Sequence, residues 1–128
     1  MSLIRISSDK ASFLVQLNDS PTAALLRASL PFEATVNTWG HEVYFETPVK
    51  TKLEPGASAD VSVADVAYWP PGKALCVFFG KTPASTGSRP RAASPVTLIG
   101  HVRGEPKRFS ELHDGETVRV SEELDGDD

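Results

Sequence analysis

The chain of 128 residues has a single cysteine, a single methionine and three histidines, and no apolar run approaching the length of a membrane span. Each scarcity excludes something. Cys76 alone cannot form an internal disulfide and suits a reducing compartment. The roughly 20 consecutive apolar residues that a membrane helix needs occur nowhere, and the opening MSLIRISSDK holds no apolar stretch of signal-peptide length. A cytoplasmic protein without a membrane partner is therefore expected. His41, His101 and His113 are too scattered for zinc-type spacing, so no metal site is expected. Neither a P-loop nor a G-x-S-x-G elbow is present, and no cofactor is expected.

What is present is an uneven charge distribution. The net charge is -4, yet residues 71–108 carry seven basic side chains (Lys73, Lys81, Arg89, Arg91, Arg103, Lys107, Arg108) against one acid, Glu105, leaving six against sixteen elsewhere. Nucleic-acid binders are usually basic over the whole domain. Here an acidic body would repel phosphates outside the basic segment, so nucleic acid is not expected and a small anionic ligand fits better. At this length one domain is expected, burying about two-thirds of the surface of the unfolded chain.

Short runs alternate with a period of two, as half-buried strands do. Residues 3–7, 13–17, 32–38, 42–47, 67–69, 75–79, 96–102 and 117–120 all read as strands. The pair 32–38 and 42–47 reads as a hairpin, with Gly40 supplying a positive φ at Trp39-Gly40-His41. Leu75-Cys76-Val77-Phe78-Phe79 is apolar on both faces and should be covered on both sides. One helix is predicted: Ser20 is an N-cap, Pro21 takes the first helical position, Ala23, Leu26 and Leu30 form a stripe, and Pro31 ends it. Many strands with one helix predict a mainly β fold, a closed barrel with one principal short helix at its mouth. Residues 1–121 would form the barrel and 122–128 an acidic tail.

The phrases NTWGHEVYFETPV, DVAYWPPGKALCVFFG and TPASTGSRPRAASPV together resemble the small prokaryotic cyclophilin-like domain family, whose members have no settled biochemical function. The resemblance runs from about Ile4 to Val120 and implies a cyclophilin-like β-barrel. It does not imply prolyl isomerisation. The isomerase groove of true cyclophilins uses an Arg in an F-H-R-type strand motif with Phe, Met, Gln, Trp and His around it. This chain has no Phe-His-Arg, and Met1 and Gln16 are its only Met and Gln. A shared fold does not carry a shared reaction.

Two segments are candidates for a site. In Tyr68-Trp69-Pro70-Pro71-Gly72 the prolines stiffen the backbone, so two aromatic rings could form a wall. Trp39, with Asn37 beside it, could face them. The loop 81–95 sets Thr82, Ser85 and Ser94 among Arg89 and Arg91, and hydroxyls with a guanidinium fork can cradle a carboxylate or phosphate. Cys76, flanked by Leu75 and Val77, reads as an inert core thiol. Glu42 and Glu46 share a strand face with Tyr44 and read as solvated edge charges. The reading these residues support is a non-catalytic binding module for a small anionic molecule or an extended peptide. A divergent peptidyl-prolyl isomerase, a small hydrolase using a loop hydroxyl, and a protein-interaction subunit remain open alternatives.

Overall fold

The computed structural model describes residues 2–123. Strands β1 (Ser2–Ser7) and β2 (Ser12–Leu17) precede the helix α1 (Pro21–Ala28), and β3 (Phe32–Thr35), β4 (Asn37–Thr38) and β5 (Glu42–Glu46) follow it. Then come β6 (Ser58–Asp60), β7 (Asp65–Trp69), β8 (Ala74–Phe78), the long β9 (Arg91–Arg103) and β10 (Thr117–Glu123). All ten strands belong to one antiparallel sheet in the order β3-β10-β1-β2-β9-β7-β8-β5-β4, with β6 added to β9. Among the described residues no helix is long and apolar enough to cross a membrane.

The stretch 32–38, predicted as one strand of a hairpin, divides at Val36. Its first part pairs with β10 and its second with β5. The Val36 N–H donates to the Glu116 carbonyl at 2.8 Å and its carbonyl accepts from Gly115 N–H at 2.9 Å. The two edge strands of the sheet are thus consecutive in the chain. The expected closed barrel is a curled sheet whose edges are joined by the backbone through Val36 and not by a ladder of hydrogen bonds. The turn at Trp39-Gly40-His41 is as predicted, with Gly40 at φ 62°.

Ser20 caps α1 by accepting from Ala23 N–H at 3.2 Å, and Pro21 opens it. The helix ends at Ala28, before the predicted stop, because both the N–H and the hydroxyl of Ser29 turn back to the Leu26 carbonyl. Leu30 therefore meets the core from the loop beyond the helix. Strand β10 runs to Glu123, so Ser121, Glu122 and Glu123 of the acidic end pair with β1. Residues 124–128 of the expected tail lie outside the described residues.

Alternation sorts the apolar side chains into two cores. The main one, on the inner face, holds Ile4, Ile6, Phe13, Val15, Val43, Phe45, Val66, Tyr68, Leu75, Val77, Ile99, Val118 and Val120, closed by Ala23 and Leu26 of α1. A smaller one on the opposite face joins Val61, Ala67, Ala74, Cys76, Phe78, Ala92 and Val96. Strand β8 contributes to both and is buried along its whole length, as its apolar sequence predicts.

Strand β9 bridges the two cores, and Gly100 lets it do so. A Cβ at Gly100 would stand 2.2 Å from the Gln16 carbonyl oxygen of β2. That neighbour is backbone and cannot swing aside. Gly100→Ala is expected to lower unfolding stability by about 1–3 kcal/mol, the usual range for overpacking. Urea denaturation checks this, and unchanged stability would show that β2 and β9 are not held this closely.

Candidate functional site

The second core leaves part of itself uncovered, and the reason lies in residue size. On β8 the outward side chains beside β5 and β7 are small: Ala74 stands opposite Trp69 of β7, and Cys76 opposite Tyr44 of β5. Two large rings flanking two small residues make a trough. The Tyr44 and Trp69 rings meet edge to face, with centroids 6.4 Å apart and planes at 76°. Trp69 is fixed from two sides. Its Nε1–H donates to Ser94 Oγ at 2.7 Å, and its ring lies so close to the Pro70–Gly72 turn that a Cβ at Gly72 would be 2.9 Å from Cε3 and Cζ3.

The other walls come from β9 and from the β4–β5 turn. Between β6 and β9 the register jumps: Ser58 pairs with Val96 and Asp60 with Arg91, so four residues of β9 stand opposite Ala59 alone. This irregular stretch brings Ala92, Ala93 and Ser94 against the trough. Trp39 closes the far end. Its turn is tied by Trp39 N–H to the Glu42 carbonyl at 2.9 Å and by His41 N–H to the Lys81 carbonyl at 2.8 Å. The resulting cavity of about 210 Å³ is lined by Trp39, Glu42, Tyr44, Trp69 and Cys76, with small side chains of β9 above them.

Glu42 is the unexpected member. Although it begins a strand that sequence alone places at an exposed edge, it is only 6% accessible, because Trp39 and the β9 stretch cover that face. Glu46, two strand positions beyond Tyr44, is exposed and pairs with Lys73 at 3.2 Å. No ion pair reaches Glu42 among the described residues. Loss of hydration pushes its carboxyl pKa up to about 7, opposed by the Cys76 thiol within hydrogen-bonding reach. Burial, then the charge of Glu42, push the Cys76 thiol well above its ordinary range. Cys76 is therefore a buried thiol without thiolate character, as its sequence setting predicts, but it also forms part of a cavity floor.

Of the residues singled out in the sequence, Trp39, Trp69 and Ser94 come together here. Tyr68 does not join them. Neighbours on a strand point to opposite faces, and Tyr68 lies 1% exposed in the main core, its hydroxyl donating to the Val49 carbonyl at 2.7 Å. The expected Tyr68–Trp69 wall is replaced by Tyr44–Trp69. Asn37 is exposed, its side-chain amide 3.5 Å from the Thr35 carbonyl. The predicted loop 81–95 is shorter, since β9 begins at Arg91. Thr82 is buried and donates its hydroxyl to the Arg91 carbonyl, while Ser85 Oγ accepts from Thr82 N–H at 3.0 Å. Arg91 pairs with Asp60, and Arg89 donates to Ser62 Oγ at 2.9 Å and to the Val61 carbonyl at 3.4 Å. Neither arginine lines the aromatic cavity.

Comparison with known proteins agrees with this architecture. The family model described as Cyclophilin-like matches residues 2–121, and the chain belongs to that family. The solution structure of the hypothetical protein AF2241 from Archaeoglobus fulgidus is 38% identical, covers 95% of each chain and superposes with a TM-score of 0.82. A second similar structure, McbB in complex with tryptophan, is 18% identical with a TM-score of 0.61. The match spans 92% of this chain and 44% of that one, and it speaks for the fold alone. No protein with a curated description matches.

A buried carboxyl with a raised pKa leaves a signature in stability. The folded state holds a proton on Glu42 up to about pH 7, whereas the unfolded chain releases it near 4.5. Stability from this group is therefore present below pH 4.5 and is lost as pH rises to about 7, on the order of 3 kcal/mol in all. Glu42→Gln, which cannot ionise, is expected to be more stable than wild type at pH 8 and to lose that advantage by pH 5. Denaturation at both pH values checks this; an advantage independent of pH would contradict it.

Proposed function

We propose that this cyclophilin-like domain is a non-catalytic binding module whose site is the cavity between Trp39, Tyr44 and Trp69 above Glu42. The observation that carries the reading is a preformed aromatic cavity with one convergent polar group, the combination that small-molecule sites usually present. The Trp69 ring, held by Ser94 and by the Pro-Pro turn, needs little further ordering when a ligand arrives, which favours binding. The cavity suits a small, largely planar or apolar group. An extended peptide would have to enter it by a single side chain. The small anionic ligand favoured by the charge distribution finds no basic side chain in the lining. Arg89 and Arg91 stand on a neighbouring surface, bonded to Asp60, Val61 and Ser62.

The tryptophan in the complex of McbB supplies one obvious probe, though a likeness at 18% identity does not carry a ligand from one chain to the other. The pocket itself supplies the readout, since Trp39 and Trp69 are the only tryptophans of the chain. Small aromatic probes that hardly absorb at the red edge of the tryptophan band, phenol and benzyl alcohol among them, are expected to change tryptophan emission saturably and to raise the melting temperature. Gly72→Ala should weaken this about tenfold by displacing the Trp69 ring. No saturable response from any such probe, or binding unchanged in Gly72→Ala and Trp69→Ala, would sink the reading.

A further inference from the structure

We propose that the pocket recognises a methylated ammonium group, held against Trp39, Tyr44 and Trp69 with the Glu42 carboxylate as its counter-charge. The inference rests on the preceding assignment of this cavity as the binding site and names the chemistry of its ligand. A buried carboxylate without a basic partner is costly and takes either a proton or a cation. Every ion pair among the described residues lies elsewhere, so none of these residues offers Glu42 a cation. The surrounding rings favour the same ligand sign. Aromatic faces carry negative potential, and cages of Trp and Tyr are attractive to ammonium groups within about 6 Å of the ring centre.

Size and hydration narrow the class further. A cavity of about 210 Å³ holds a trimethylammonium head but not an extended chain. A compact primary ammonium is strongly hydrated and would lose that water on entry, whereas methyl groups make their own apolar contacts with the rings and with Ala92 and Ala93. Of the donors around the pocket, Trp69 Nε1–H is already given to Ser94. A carboxylate or phosphate would meet no cation there and would face Glu42. The other titratable groups in the lining are the Cys76 thiol and the Tyr44 phenol, and neither is positively charged.

The test compares a charge with its absence at constant shape. Tryptophan emission is titrated at pH 8 with tetramethylammonium, with choline, with an acetylated trimethyl-lysine amide, and with 3,3-dimethylbutanol, the neutral isostere of choline. Choline is expected to bind at least about ten times more tightly than the isostere, and Glu42→Gln to erase most of that difference. Affinity for choline should fall as pH drops through 7, because the proton then competes with the cation for Glu42. Binding of the lysine derivative but not of choline would identify a modified protein side chain as the source, and the reverse would identify a free small molecule; either outcome supports the proposal. Equal affinity for choline and the isostere would overturn it. If phenol binds and no cation does, the ammonium inference fails and the binding module stands. If nothing binds, both fail.

Discussion

Strand β8 must be hidden on both faces, and most of the architecture follows from that requirement. Leaving one apolar face of a five-residue strand in water would cost several kcal/mol at about 25 cal/mol per Å² of exposed apolar surface. The inner face is covered by the curled sheet and α1. The outer face needs a second cover, which β6 and the first half of β9 provide by folding back over β7 and β8. This cover is incomplete, because β9 leaves its ladder for four residues opposite Ala59. The gap in the cover is the cavity.

That origin explains why the site combines aromatic walls with an ionisable floor. Ala74 and Cys76 keep the floor low, while Tyr44 and Trp69 stand on the strands to either side. Glu42 starts β5 on the same face and is enclosed along with them. A hydrophobic side chain at that position would fit the second core better, and among the described residues the carboxyl has no ionic partner that would offset its burial. Its presence is an expense in stability, and one that a structural role does not account for. Perturbed carboxyls in concave apolar settings tend to mark sites of binding or chemistry.

Much of this was legible in the sequence, and the limits of legibility have physical causes. The two-sided apolar character of β8, the Ser20 cap, the turn at Gly40 and the stiff Pro-Pro turn all depend on local chemistry, and all are found. The split of β3 from β4 at Val36 was not legible, because alternation continues smoothly through residues 32–38 while the partner strand changes. Trp39, Trp69 and Ser94 could be nominated as separate features, but their meeting depends on long-range register between β4–β5, β7 and β9. Glu42 was misjudged for a related reason: a charged residue beside a turn reads as solvated unless one asks what covers its face. The signal was available. If β8 is buried on both sides, its neighbour β5 is covered there too. Arg89 and Arg91 show the converse, since clustering in sequence placed them on one surface with Asp60 and outside the cavity.

Membership of the cyclophilin-like family fixes the fold and leaves the chemistry to the site, where a proton and a cation compete for one buried carboxyl. The most direct measurement is the pH titration of the Glu42 side-chain carboxyl carbon by ¹³C NMR, in the free protein and with saturating choline. A midpoint near pH 7 that falls when the cation is added is the predicted result. A midpoint in the ordinary carboxylate range near 4.5, unmoved by choline, would contradict the account of this pocket at its root.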